Sequence, residues 1–265
     1  MINAWLNLPL VPLFLLLAIG FMAVALAIYW LTAGRPAAFV GRFIGVVPPF
    51  IAVLATLLAL LTGFVASDTW ERDRQAVRIV QAEADDLLAV HDLSLAAAPD
   101  MSAIRRALHA YARAVVADEW PKMNRGEASA STAQALGVLL QDVAQPQIAT
   151  EAGAPTQAAL LNSVLRLRSD RGARLALNET QTDVSKWLTL LILGLLTQVS
   201  IGIVHLDKPR AQAAALAIFT LGLTATLYLI AAHELPFRGA EVVRPDALVR
   251  ADDLVAAAIA PPTKP

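Results

Sequence analysis

The sequence has no cysteine among its 265 residues, which excludes disulfides, thiolate metal centres and cysteine nucleophiles and leaves the redox compartment open. Charge is scarce over long distances. The first charged side chain is Arg35, so no basic region precedes the opening apolar run. That run is longer than the hydrophobic core of a cleaved leader, and the first helix is expected to be retained. A formal net charge of −1 gives no electrostatic footprint for nucleic acid. Phosphate-binding Gly-rich loops, HExxH, GxSxG and dinucleotide fingerprints are all missing, and strand signals are weak everywhere. What the chain has is apolar surface: 57% of residues are hydrophobic and mean hydropathy is +0.58, high for a soluble domain of this length.

These residues gather into four uncharged stretches, near Leu8–Thr32, Phe43–Ser67, Trp187–Val204 and Ala211–Ala232. Each reaches or approaches the roughly 20 residues a helix needs to cross about 30 Å of hydrocarbon. The reading is a multi-pass protein of the cell (inner) membrane, in contact with lipid, with two pairs of spans around a polar middle segment from about Asp68 to Lys186. Both termini and that segment then share one face, and only Gly34–Arg42 and His205–Arg210 lie on the other. Trp5, Trp70 and Trp187 fall at helix ends of the first face, and Tyr29 and Trp30 mark the opposite interface. Arg35, Arg42, Lys208 and Arg210 favour short loops inside, whereas Arg72, Arg74, Arg78, Arg174, Lys186 and Arg238 argue the reverse. The balance leans towards an extracytoplasmic domain.

The fold class is all-α: a polytopic membrane protein whose helical extramembrane domain is continuous with spans 2 and 3. Residues 1–67 hold spans 1 and 2, 68–186 the domain, 187–233 spans 3 and 4, and 234–265 a C-terminal tail that ends in the proline-rich Pro261–Pro265, read as disordered. Neither Gly nor Pro occurs between Gly63 and Pro99, so span 2 is expected to leave the membrane as one helix of about 50 residues, roughly 75 Å long. Its outer half carries Val77, Val80, Ala84, Leu87, Leu88 and His91 at spacings of three and four, a stripe that another helix must cover. A second long helix is expected from about Thr156 into span 3, burying Leu160, Leu161, Val164, Leu165 and Leu175. Shorter helices are predicted near Met101–Trp120 and Ser131–Gln145, bounded by turn signals at Pro99, Pro121 with Gly126, and Gly153 to Pro155.

Several residues now carry a resemblance. Tyr111 is followed by Glu119-Trp120-Pro121-Lys122-Met123 with Gly126, then by Arg171 and Arg174-Leu175 ahead of Trp187; further on stand Glu234-Leu235-Pro236-Phe237-Arg238-Gly239, Val243, Pro245 and Leu248. With the order of two spans, a helical domain and two spans, this resembles the bacterial and plant bestrophin-like membrane family. In that family an Asp and an Arg commonly precede the Pro-Phe-x-Gly; Glu234 and Leu235 stand there in this chain. The family itself carries no assigned biochemical function, but its name likens it to bestrophins, oligomeric anion channels, and by that analogy the chain is expected to form a ring of subunits around a passive ion pore; no ligand constellation in the sequence argues for a cofactor.

A ring needs one water-facing span per subunit. By that analogy span 2 lines the pore, through Phe50, Leu54, Thr56, Leu57, Leu61, Thr62 and Phe64, and its apolar residues form a dewetting gate; lipid contact is the plainer reading of the same face. In span 3, Gly194, Gln198 and Gly202 recur every four residues beside Thr197. Close helix packing is the first reading of that stripe and pore lining by Thr197 and Gln198 the second. At the mouth, Asp68 and Glu71 would attract cations and Arg72 anions, so the signs nearly cancel. No Asp, Glu, His, Lys or Arg lies inside a span, which disfavours coupled transport.

An enzyme would have to use Glu119 with Tyr111 and His109, or Arg171 and Arg174 with a carboxylate. Each has a structural reading that weighs more: Pro121 stops a helix, Trp120 anchors a core, and the two arginines pair with Asp85, Asp86 or Asp118. His205, His233 and Glu234 are not spaced as metal ligands. The alternative to a channel is a non-conducting scaffold or sensor that binds a protein partner through the face around Trp120, Pro121 and Met123.

Overall fold

Helices account for nearly all regular structure in the computed structural model, which describes residues 6, 8–33, 49–97, 99–179, 183–239 and 241–259. Trp5, the Gly34–Arg42 loop, the Phe50 side chain and the Pro261–Pro265 tail lie outside that set. In chain order the helices are α1 (Leu10–Ala33), α2 (Pro49–Ala96), α3 (Ser102–Ala114), a π-helical turn (Val115–Glu119), α4 (Trp120–Met123), α5 (Ala130–Val143), α6 (Pro146–Ala152), α7 (Ala154–Glu179), α8 (Val184–Val204), α9 (Pro209–Ala232) and α10 (Asp246–Ile259). The chain divides into two units. The first comprises Met1–Glu71, Gln181–Leu235 and Gly239–Glu241, and the second Arg72–Thr180, Pro236–Arg238 and Val242–Pro265.

The first unit contains α1, the opening half of α2, α8 and α9. These four helices are long and apolar enough to span a bilayer. At about 1.5 Å per residue, the 24 residues of α1 and of α9 reach across the roughly 30 Å of hydrocarbon. Their outward side chains are apolar too: Val11, Ile19, Leu26, Trp30, Leu221 and Ile218 are exposed. Lipid is the medium in which such a surface costs nothing. Inside, Leu13, Leu17 and Phe21 of α1 pack with Leu58 and Val65 of α2, Trp187 and Leu190 of α8, and Leu223, Leu227 and Ile230 of α9. Trp187, expected at an interface, is buried in this core. Pro209 begins α9, a position where its missing N–H is not needed.

The second unit is built around the outer half of α2. Ala76, Val80, Ala84, Leu87 and Val90 meet Leu108, Tyr111 and Val115 of α3 and the π turn, Leu136 and Leu139 of α5, Leu160, Val164 and Leu167 of α7, and Leu248 and Val255 of α10. The stripe is displaced from the sequence expectation: Val77 and Leu165 are exposed, and Ala76, Val90 and Leu167 take the buried places. The segment expected as a tail holds α10, whose amphipathic face (Leu248, Ala251, Val255) enters this core beside α3.

Two boundaries differ from the sequence reading for identifiable reasons. Pro121 does not stop its helix. The preceding turn widens, so that the Trp120 N–H bonds to Val115 O, five residues back, and helical geometry continues to Met123 around a proline that can donate nothing. The chain reverses only at Gly126, with φ +78°. At the third span, α7 ends at Glu179 and a new helix begins at Val184, where Asp183 is extended and accepts from the Ser185 and Lys186 amides. The domain is therefore helically continuous with span 2, but span 3 has its own N-terminal cap.

Candidate functional site

Span 2 presents one outward stripe. Val53, Thr56, Leu57, Leu60, Gly63, Phe64, Ser67 and Glu71 recur at spacings of three and four and are all exposed. Phe64 reaches 71% exposure. Of the predicted lining residues, Thr56, Leu57 and Phe64 lie on this stripe, while Leu54, Leu61 and Thr62 flank it half-buried. The buried share of the apolar window is 17% for this helix, 22% for α1, 33% for α9 and 44% for α8.

The span 3 candidates face the other way. Thr197 and Gln198 are buried, and the Gln198 amide donates to Phe21 O at 3.1 Å and to Thr220 Oγ1 at 2.8 Å. Gly194 and Gly202 let the helices approach: a Cβ on Gly194 would stand 2.8 Å from Leu223 Cδ2, and one on Gly202 would overlap Ile28 Cγ2. Thr197 and Gln198 are thus enclosed within this chain, and the Gly194 and Gly202 contacts are those of close helix packing.

Among the mouth candidates, Asp68 accepts from Lys186 Nζ at 2.9 Å. Glu71 is exposed and Arg72 half-buried. Next to Asp68 on the same helix, Thr69 donates to the buried Glu234 Oε2 at 2.9 Å. That carboxylate opens the C-terminal motif. Gly239 closes it with φ +95°, where a Cβ would come within 3.1 Å of Leu6 O. Buried Pro236 accepts from Val243 N at 2.8 Å.

The remaining motif residues converge inside the second unit. Arg174 is fully buried; it pairs with Glu83 through Nε to Oε2 at 2.6 Å and Nη2 to Oε1 at 2.9 Å, and Nη2 also meets Glu119 Oε1 at 2.9 Å. Arg171 forks onto both oxygens of Glu119 and onto Ser129 O. The Tyr111 hydroxyl donates to Glu83 Oε1 at 2.7 Å. The arginines thus use Glu83 and Glu119 rather than the expected Asp85, Asp86 or Asp118. Trp120 is half-buried, lies 5.2 Å from Arg174 Cζ and meets Phe237 edge-on at 5.8 Å. Pro121 and Gly126 are exposed, and a Cβ on Gly126 would stand 2.9 Å from Arg238 Nη1.

Electrostatics follow from this burial. The carboxylates around Arg174 hold its guanidinium charged against desolvation and raise its pKa, while burial first and the Glu83 charge second push the Tyr111 phenol well above its usual range. Both oxygens of Glu119 are occupied by arginines and its neighbour Ser129 N, and the Tyr111 proton is committed to Glu83. His109 is engaged elsewhere, Nδ1 lying 2.6 Å from Asp252 Oδ1 of α10. The potential catalytic trio is thus not assembled. Glu83 was not singled out in the sequence, although it sits on the Val80, Ala84, Leu87 stripe and an acid at that register must find a partner.

Among the described residues the geometry defines an all-helical membrane protein with four candidate spans, apolar side chains exposed on every one of them, an outward stripe along span 2, and a helical unit locked by a buried charge network. A family model described as the bestrophin-like domain matches residues 19–248, and the chain belongs to the bestrophin-like family. Solved structures agree on the fold. A point variant of a bacterial bestrophin homolog from Klebsiella pneumoniae matches with a TM-score of 0.76 at 13% identity, covering 92% of this chain and 97% of that one. A second structure of such a homolog from Klebsiella pneumoniae gives 0.69 at 15% identity, covering 93% and 96%. No curated protein matches the sequence.

Proposed function

We propose that the protein is a homo-oligomeric passive ion channel in which the exposed stripe of α2 from each subunit lines an axial pore. The observation that carries this reading is the stripe itself: Val53, Thr56, Leu57, Leu60 and Phe64 are left uncovered by the other spans, and the same face continues into Ser67 and Glu71. Thr56 offers a hydroxyl to permeating ions, and Leu57, Leu60 and Phe64 form a constriction that gates by dewetting. The Asp68–Lys186 pair puts both signs beside the mouth, so selectivity by charge at that level is weak. The face around Trp120 and Met123 is poorly suited to a protein partner, because Met123 is buried and Trp120 is spent on Arg174 and Phe237.

The purified protein in liposomes tests the reading. Ion flux above that of empty vesicles, reduced or lost when Thr56 and Leu57 are replaced by charged residues of one sign for ions of that sign, supports it. Flux no greater than in empty vesicles over a range of voltage, pH and calcium overturns it.

A further inference from the structure

Helix α10 is held to the second unit by an apolar face and by one polar contact. Leu248, Ala251 and Val255 enter the core beside α3, and Asp252, which follows Ala251, reaches across to His109 of α3, Oδ1 lying 2.6 Å from Nδ1. Among the described residues no other side-chain hydrogen bond or ion pair joins α10 to another element. The two helices are also opposite in charge. Along α3 stand Arg105, Arg106, His109 and Arg113 with no acid, whereas α10 carries Asp246, Asp252 and Asp253 against Arg250. The pair lies at the edge of the apolar seam, its side chains keeping 27% and 17% of their exposure, so water and salt screen it only in part.

We propose that His109 and Asp252 form a protonation-dependent latch that fastens α10 to α3. With both ring nitrogens protonated the contact is an ion pair as well as a hydrogen bond; with a neutral ring only the hydrogen bond of one tautomer remains. A carboxylate supplies its negative charge above about pH 4, and histidine changes charge between about pH 5 and 8. The latch is therefore tight in mildly acidic medium and loosens as pH rises. The charged groups around the contact leave this work to the pair. On α3, Arg105 is engaged with Ser94 O and Asp100, Arg106 with Ser102 Oγ, and Arg113 is exposed. On α10, Arg250 and Asp253 are exposed. From the neighbouring elements, Glu83 is bonded to Tyr111 and Arg174, Glu119 to Arg171 and Arg174, Asp118 to Lys122, and Asp142 accepts from Gln145 Nε2, while His91 is buried in α2. Loosening the latch leaves α10 held by Leu248, Ala251 and Val255 alone, a short apolar face that covers α3.

Hydrogen exchange of the full-length protein in detergent, read by mass spectrometry and corrected for the intrinsic pH dependence of amide exchange, tests the latch without any flux measurement. Peptides covering α10 should be protected at about pH 5 and should open more often at about pH 8, by a factor on the order of five, while peptides covering α5 stay unchanged. His109→Gln and Asp252→Asn each keep a hydrogen-bonding side chain at the seam but cannot form the ion pair. In either variant α10 should therefore exchange at both pH values as it does in the unsubstituted protein at high pH, and one purified variant suffices. Equal protection of α10 at the two pH values, or a pH response that persists in a variant, overturns the proposal. The latch does not rest on conduction: an unresponsive α10 in a conducting protein dismisses the latch and keeps the channel.

Discussion

Arg174 and Glu83 face each other as a bidentate pair, Nε to Oε2 at 2.6 Å and Nη2 to Oε1 at 2.9 Å, with no solvent exposure on either side chain. The pair joins α7 to the outer half of α2, and Glu119 joins both to the π turn. Burying these charges is costly, and the hydrogen bonds from Tyr111 to Glu83 and from Arg171 to Glu119 are what offset it.

Arg174→Met should therefore be severe, because it strands Glu83 and part of Glu119 without a cation. The expected cost is about 3–5 kcal/mol, read as a fall in the chemical or thermal unfolding midpoint in detergent. Arg174→Lys should restore little of it, since a single ammonium cannot make the two parallel bonds. A loss below about 1 kcal/mol for Met would mean that water or relaxation compensates the acids.

Asp118 provides a pH test of the fold. It accepts from Lys122 Nζ at 2.8 Å and from the hydroxyls of Ser129 and Ser131 at the start of α5, and these bonds hold its carboxyl well below the usual carboxylate range. A lowered value in the folded state means that the ionised form stabilises the fold above the ordinary carboxylate range, near pH 4, and that this contribution fades as pH falls towards the lower folded value. Asp118→Asn should consequently lower the unfolding midpoint at pH 7, and the gap to the unsubstituted protein should close as pH drops below about 4. A gap that stays constant from neutral to strongly acidic pH would rule this linkage out.

Much of this architecture was legible because the bilayer leaves few choices. Four uncharged runs of sufficient length must be helices, since hydrocarbon offers no partner for an open backbone. The Gly- and Pro-free stretch after Gly63 likewise could only continue α2. What remained hidden depended on partners distant in sequence. Glu83 looks like its neighbours Asp85 and Asp86 until Arg174 is brought opposite it. Pro121 reads as a stop unless the π turn ahead of it is known. Gln198 reads first as packing and second as lining, and its packing partners, Phe21 and Thr220, are not visible in the sequence. The α10 helix is hidden because its apolar residues are mostly alanines interrupted by Arg250, Asp252 and Asp253, and it lies next to the proline-rich Pro261–Pro265.

The packing seam of span 3 makes a sharp pairwise comparison. Gly202→Ala would place a methyl against Ile28 Cγ2 and should cost about 1–3 kcal/mol as α1 and α8 are forced apart. Gly222 of α9 has nothing within 4 Å of a built Cβ, so Gly222→Ala should be neutral or gain up to about 1 kcal/mol from helix propensity. Unfolding of both variants in the same detergent measures the difference. Equal effects would mean that the seam is looser than the contact of Gly202 with Ile28 implies.

The absence of cysteine turns the question of which medium faces α2 into a direct experiment, because any single introduced thiol is unique. Leu57 and Phe64 lie on the exposed stripe of α2, Leu58 is buried against the other spans, and Ile19 is exposed on α1. A thiolate forms only where water reaches. If α2 lines a pore, Leu57→Cys and Phe64→Cys should react with a charged, membrane-impermeant thiol reagent and lose ion flux on modification. Leu58→Cys and Ile19→Cys should remain unmodified, the first shielded by protein and the second by lipid. Should Leu57→Cys and Phe64→Cys stay as unreactive as Ile19→Cys in a conducting preparation, the α2 stripe faces acyl chains and the pore must be lined by another helix.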